Sequence, residues 1–224
     1  MPARRFADVR WFAELDSTNR LAADLASAGA PDGVVVGADH QTAGRGRRGR
    51  TWDSRPGASL LVSVILRPAP ALVTLAAGVA AAEACEAVAG VVVGLKWPND
   101  LLLDGAKLGG ILSERVGDAA VVGLGVNLAW APAGAACLGP RRPLSGKLGA
   151  AADRDRLLDA YLAALDASGD VLARYRDRCA TLGRRVRVKV PGATIEGIAT
   201  DVDDDGRLLV DGRAIAAGDV VHLR

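Results

Sequence analysis

Aromatic residues are scarce in this chain. Phe, Trp and Tyr make up 4% of 224 residues, while half of the residues are hydrophobic. A core is affordable, but it must be aliphatic, built mostly from Ala, Val and Leu. Histidine occurs only at 40 and 222. That argues against a zinc site and against a His-based nucleophilic triad. Cys85, Cys137 and Cys179 are far apart, odd in number and free of any CxxC pair, as expected of reduced thiols in a cytoplasmic protein. Charge of one sign is lacking as well. The net charge of +2 is too weak for a generic nucleic-acid binder. The start, "MPARRFADVRWF", has no apolar h-region of a signal peptide. The longest uncharged run, Ala119 to Pro140, is broken by Asn127, two prolines and four glycines, so it reads as strand plus loop and not as a membrane span. No internal repeat or low-complexity segment is present, and no GxGxxG opens a helix.

The positive charge that exists is concentrated. "TAGRGRRGRTW", residues 42 to 52, sets Arg45, Arg47, Arg48 and Arg50 among Gly44, Gly46 and Gly49 and closes on Trp52. Arg-Gly segments are often disordered and bind RNA loosely. This one is short, flanked by strands and ended by a Trp. Glycines let backbone N–H groups approach an anion, and arginines hold phosphate or carboxylate by bidentate bonds. Such a loop can also close over a reactive intermediate.

The remaining pattern mixes helices and strands. "LDSTNRLAADLASAG" reads as a helix capped by Asp16 or Ser17, with Leu21 and Leu25 at i, i+4 and Gly29 at C′. "DGVVVGADHQ" and "SLLVSVILRP" read as strands, the second ended by Pro68. "ALVTLAAGVAAAEACEAVAG" reads as a buried helix through 72, 75, 79 and 88. "VVVGLKW" reads as a strand and "LLLDGAKLGGILSERV" as a hairpin turning at Asp104-Gly105, with "AAVVGLGVNLAW" as its neighbour. Residues 130 to 150 read as a long loop. "RDRLLDAYLAAL" is an amphipathic helix with Leu157, Leu158, Tyr161, Leu162 and Leu165 on one stripe. From about Leu182 the texture changes to short strands every eight to ten residues with Pro-Gly and Asp-Gly turns. That signals a small all-β barrel appended to an α/β domain.

Several motifs carry candidate chemistry, each beside a bland reading. "KWPND" is either an ordinary strand exit with Trp97 in the core, or a place where Asn99 and Asp100 present oxygens to a nucleotide–metal complex. Lys107 in "KLGGIL" is either a solvated strand lysine or a cation beside developing charge. "GLGVN" reads first as a buried strand with bulge glycines. "STN", Ser17 to Asn19, is most simply a helix cap, although a helix start also offers N–H donors and hydroxyls to a polar ligand.

Taken in order, "STN", "QTAGRGRRGRTW", "KWPND", "KLGGIL", "GLGVN" and "AGDVVHLR" make the chain resemble the biotin protein ligases from about residue 14 to 224. The resemblance implies an α+β fold. A mixed β-sheet catalytic domain of the biotin/lipoate ligase type with packed helices would span 1–180, and a C-terminal SH3-like β-barrel 181–224. It implies a biotin–[biotin carboxyl-carrier protein] ligase working in two steps. Biotin and MgATP give biotinyl-5′-AMP and pyrophosphate, and a lysine of a biotin carboxyl carrier domain then takes the acyl group and releases AMP. No enzyme nucleophile is needed, in keeping with the missing Ser-His or Cys-His arrangement.

The resemblance also assigns roles. Arg45, Arg47 and Lys107 would be catalytic. Ser17, Thr18, Asn19, Gln41, Gly44, Gly46, Gly110, Leu112 and Gly125, with those three, would form the biotin site. Ser17, Thr18 and Gln41 would hydrogen-bond the ureido ring. Trp52, Asn99, Asp100 and Asn127 would join Arg45, Arg47 and Lys107 around ATP, with Asp100 toward Mg²⁺ and Asn127 toward adenine. Bifunctional members carry a winged helix before the catalytic domain. With "STN" at residue 17, the expectation is a ligase without repressor function or specific DNA binding. Lipoate ligases and octanoyltransferases share the fold but lack the arginine loop and KWPND. The expected partner is the carrier domain of a biotin-dependent carboxylase, with no membrane. Both monomer and homodimer remain open.

Overall fold

The computed structural model describes residues 5–139, 150–167 and 169–223. Seven strands form the first sheet: β1 (Val9–Leu15), β2 (Val35–Gln41), β3 (Ser59–Leu66), β4 (Gly94–Lys96), β5 (Asp100–Leu103), β6 (Ala106–Val116) and β7 (Ala119–Asn127). Their order is β1-β2-β3-β7-β6-β5-β4. β1 and β2 run parallel and all other neighbours antiparallel, so the sheet is mixed, as expected. The hairpin turns where the sequence placed it. Asp104 and Gly105 both have positive φ, 51° and 79°, as a two-residue loop matched to strand twist requires.

Strand alternation sorts the sheet into two faces. On β3, Leu60, Val62, Val64 and Leu66 point into the main apolar cluster. They meet α2 (Val73–Ala89) and α3 (Ala150–Asp166) there, the latter through Leu157, Leu158, Tyr161 and Leu162. Ile65, on the other face, joins Val121 and Val36 beneath α1 (Thr18–Ser27). Ala22 and Ala26 are the buried apolar residues of α1, while Leu21 and Leu25 are only partly covered. Small side chains let this helix lie close to the sheet. Ser17 is its N-cap in extended conformation and Gly29 follows the C-cap with φ 87°, both as read from sequence.

One expected element needs correction, and two observed elements had no counterpart in the sequence reading. The strand expected over 91–97 shrinks to β4, because its partner β5 is four residues long and its ladder pairs only Gly94 to Lys96. β1 was not anticipated, nor was α4 (Val171–Arg178), a short helix capped by Asp170, whose carboxylate accepts the Ala173 amide. The loop expected over 130–150 is open chain to 139, and residues 140–149 lie outside the described residues.

The C-terminal segment is all β. β8 (Arg185–Val190), β9 (Ala193–Val202), β10 (Leu208–Val210), β11 (Arg213–Ile215) and β12 (Asp219–His222) form one antiparallel five-stranded sheet in the order β11-β10-β9-β8-β12. Its inward residues, among them Val186, Val188, Leu208 and Val220, belong to the same apolar cluster as the first sheet. Trp97 fastens the two. It is 1% exposed, its backbone amide donates to Thr181 Oγ1 (3.1 Å), and its indole N–H donates to the Gly206 carbonyl (3.0 Å). The bland reading of Trp97 as core therefore holds, and it sets the strand exit carrying Asn99 against the second sheet. Among the described residues no helix is long and apolar enough to cross a membrane.

Candidate active site

The α1-facing side of the first sheet ends in a trough, and strand register shows how it is cut. Across β3, β7 and β6 one row reads Leu61, Gly125, Gly110, and the next reads Ser63, Gly123, Leu112. Three of these six positions have no side chain. A β-carbon on Gly125 would lie 2.7 Å from the Trp52 ring, and one on Gly123 would lie 2.3 Å from Asn19 Oδ1. The glycines are thus required by close approach. The GLGVN glycines, read first as strand bulges, seat Trp52 and Asn19 on the sheet.

The walls come from the other motifs. A cleft is lined by Ser17, Thr18, Asn19, Gln41, Arg45, Gly46, Arg47, Trp52, Asn99, Lys107, Gly110, Leu112 and Gly125, all expected. Arg50, Thr51, Leu61, Ile111, Gly123 and Leu124 line it too. Gly44, Asp100 and Asn127 stand just outside this lining. A β-carbon on Gly44 would meet the Trp52 carbonyl oxygen at 2.4 Å, so it shapes the loop. Asp100 accepts Lys107 Nζ at 2.7 Å. Asn127 is 2% exposed at the end of β7, its amide donates to the Ala136 carbonyl at 2.9 Å, and its Oδ1 is buried without a partner. Ser59, its register neighbour on β3, likewise has a buried, unpartnered hydroxyl.

At the closed end, α1 supplies polar groups. Ser17, Thr18 and Asn19 are all nearly sealed from solvent. The Thr18 amide and hydroxyl both donate to Gln41 Oε1, at 2.8 and 3.0 Å. Ser63 Oγ stands 2.9 Å from Thr18 Oγ1 and 2.9 Å from Asn19 Oδ1. Ser17 Oγ and Trp52 Nε1 are buried without protein partners. An unsatisfied buried polar atom costs roughly 1–3 kcal/mol, so two of them in one cleft mark where a polar ligand is wanted.

The arginine loop divides its labour. Arg45 and Arg47 face the cleft. Arg45 forks onto Glu114, with Nη2 2.9 Å from Oε1, and Arg47 Nη1 donates to Asn99 Oδ1 at 3.0 Å. Asn99 is itself pinned to β6, donating to the Ile111 carbonyl at 2.9 Å. Arg48 turns the other way and shares Asp219 of β12 with Arg50, at 3.2 and 2.7 Å, while Arg50 also borders the cleft. Arg48 takes a left-handed conformation, φ 55°, to make that turn. Burial lowers the Arg47 pKa from its ordinary value, with Asp219 opposing the shift. Lys107 Nζ lies 5.8 Å from the Trp52 ring centre. Together Arg45, Arg47 and Lys107 stand beside the Trp52 ring in the trough, an arrangement that neutralises carboxylate and phosphate oxygens.

None of the three cysteines lines this cleft. The three cysteines are free, and burial pushes the Cys85 thiol up to about 12. Sequence reasoning missed Glu114 and Asp219. Each reads as a solvated strand residue until the arginines it holds are seen in space.

Comparison with known proteins bears on both halves of the chain. The "Biotin/lipoate A/B protein ligase family" matches residues 11–127, and the "Biotin protein ligase C terminal domain" matches residues 181–223. A biotin–[acetyl-CoA-carboxylase] ligase of Mycobacterium tuberculosis is 42% identical over 236 residues, covering 95% of this chain and 88% of its own. The biotin protein ligase from Aquifex aeolicus in complex with biotin and ATP shares the fold with a TM-score of 0.78 at 26% identity, over 98% of this chain and 100% of that one. The Leishmania major biotin protein ligase in complex with biotinyl-5-AMP gives 0.66 at 25% identity, over 97% and 99%. On these matches and this cleft, the chain belongs to the biotin/lipoate A/B protein ligase family, as a biotin protein ligase.

Proposed function

We propose that this ligase activates biotin as biotinyl-5′-AMP and transfers it to a lysine on the carrier domain of a biotin-dependent carboxylase. In the first step a biotin carboxylate oxygen attacks the α-phosphorus of ATP, and the bond to pyrophosphate breaks. In the second the lysine amine attacks the acyl carbon, AMP leaves with its phosphate oxygen, and the amine loses a proton. The observation that carries this reading is the trough itself: Ser17 Oγ and Trp52 Nε1 lack partners at a site walled by Arg45, Arg47 and Lys107.

In this reading Ser17, Thr18 and Gln41 hold the ureido ring at the closed end, and Leu112, Gly110 and Gly125 flank the bicycle. Arg45, Arg47 and Lys107 meet the carboxylate and the α-phosphate. Trp52 shields the mixed anhydride from water. Asn127 Oδ1, buried and unpartnered, suits an amino donor such as that of adenine. Mg²⁺ enters with ATP. Among the described residues no group of three or more His, Cys, Asp or Glu could hold a metal ion, and the Asp100 carboxylate already pairs with Lys107. That suits a cation ligated mainly by phosphate and water, with Asp100 as the protein carboxylate beside it. The catalytic unit spans 1–180 and the C-terminal unit 181–224, and the setting is cytoplasmic.

The test is to incubate the purified protein with biotin, MgATP and a carrier domain, and to weigh the carrier. The addition of one biotinyl group per carrier is expected. An unmodified carrier, together with no biotin-dependent exchange of pyrophosphate into ATP, refutes the reading. Substituting lipoate for biotin should give no exchange.

A further inference from the structure

Arg45 is held by a carboxylate that no sequence motif announces. Glu114 sits on β6, one row beyond Leu112, and opposes Val121. Its Oε1 accepts Arg45 Nη2 at 2.9 Å and its Oε2 accepts Arg45 Nη1 at 3.2 Å. The same Oε2 also accepts Asn19 Nδ2 at 2.7 Å. Asn19 is fixed in turn, its Oδ1 accepting Ser63 Oγ at 2.9 Å in the place that Gly123 leaves open. A continuous chain therefore runs from the buried floor of β3 through α1 to the loop: Ser63, Asn19, Glu114, Arg45. Ser63 and Asn19 are almost fully buried, whereas the Arg45 side chain is 48% exposed.

Glu114 takes the two terminal nitrogens of the guanidinium. Nε and one edge of the fork stay available to a second anion. A long, half-exposed arginine left to itself carries about 2 kcal/mol of rotamer entropy. A carboxylate anchored from below removes much of that freedom before substrate arrives. An alternative role, a stand-in anion that the substrate must displace, would suit a mobile carboxylate. Glu114 is instead tethered by a buried amide.

We infer that Glu114 is a positioning residue for biotin activation, fixing Arg45 so that its free edge meets the reacting carboxylate and phosphate. The inference rests on the proposed adenylation. Glu114 touches no substrate and acts through Arg45. Misplacing a reacting-centre group by about 1 Å can cost up to about 10²-fold in rate. Glu114→Gln keeps the length of the side chain but removes the charge and one acceptor. An amide oxygen in the place of Oε2 can still accept from Asn19 Nδ2 and Arg45 Nη1, whereas the NH2 group in the place of Oε1 loses the bond from Arg45 Nη2. The ureido end of the cleft is left as it is.

The experiment measures single-turnover formation of biotinyl-AMP and biotin affinity in four proteins: wild type, Glu114→Gln, Arg45→Ala and the double variant. Glu114→Gln should slow adenylation about tenfold, with biotin affinity within about twofold of wild type, which also shows that the cleft is folded. In the Arg45→Ala background the same change should do nothing further, because its effect passes through Arg45. Unchanged or faster adenylation in Glu114→Gln overturns the inference. So does an additive loss in the double variant, or a loss confined to biotin affinity. A wild type that forms biotinyl-AMP while Glu114→Gln behaves identically sinks this inference alone. A wild type that forms none sinks the proposed function with it.

Discussion

The indole of Trp52 rests on Gly125, so close that a β-carbon there would come 2.7 Å from its ring. Gly110 lies across the ladder from Gly125 and leaves the same row low. Gly125→Ala should therefore push Trp52 off its seat. Overpacking of this kind costs about 1–3 kcal/mol, and here the strain falls on the cleft wall. We expect biotin-dependent pyrophosphate exchange to drop by at least about tenfold while the thermal midpoint moves by only a few degrees. Exchange at the wild-type rate would show that Trp52 does not need this position.

Lys107 stands beside Asp100 and the Trp52 ring, on the strand facing the cleft. Lys107→Ala should slow adenylation by roughly 10²–10³-fold, the scale of one preorganised electrostatic donor. Supplying preformed biotinyl-AMP should restore transfer at least in part. Folding should change little, because this side chain is 43% exposed. Wild-type adenylation in the variant would remove Lys107 from the reacting centre.

The arginine loop is latched by Asp219, which takes both Arg48 and Arg50. Exposed ion pairs contribute only about 0–1 kcal/mol each, and three glycines make the segment costly to order. Trypsin should cut between residues 45 and 50 quickly in the ligand-free protein and slowly with biotin plus MgATP. Desthiobiotin should protect partly and lipoate not at all. Asp219→Ala should speed cleavage without ligand. Mass assignment of the fragments checks this. Equal cutting with and without biotin plus MgATP would mean that the loop does not close on the adenylate.

His222 joins the two sheets through Thr181. The threonine Oγ1 lies 3.1 Å from Nε2 and accepts the Trp97 amide. Burial, then Lys96 and Arg184, lower the His222 pKa below its ordinary value. A base whose folded pKa is depressed contributes stability that is complete above its unfolded value of about 6.5 and is lost as pH falls toward the folded one. Between pH 7 and 5 the thermal midpoint should therefore fall more in wild type than in His222→Gln. Parallel curves would dismiss His222 as a source of acid sensitivity.

Much of this cleft was legible because motif residues are neighbours in the chain and strand period 2 places alternate ones on one face. Gly110 and Leu112, and Gly123 and Gly125, fall on the cleft side by alternation alone. Trp97 was legible only as core. Its role as a fastening needed Thr181 and Gly206, both more than eighty residues away. Glu114 and Asp219 escaped notice for the same reason. A strand carboxylate reads as solvated, and its arginine partners lie 69 or more positions distant. β1 is silent in the sequence because none of its residues is buried and no clean apolar alternation marks it, so only its pairing with β2 reveals it. β4 was read too long because a run of valines says nothing about where its partner strand stops.

The shared apolar cluster bears on how such proteins can be recombined. Val186, Leu208 and Val220 belong to the same interior as Leu108 and Val35. The last forty residues are thus no detachable accessory. Exchanging them for the tail of a cousin would transplant part of an interior, and Trp97, Thr181, Gly206 and His222 would have to be matched across the splice. Chimeras joined near residue 181 inherit a packing problem before they inherit a new specificity.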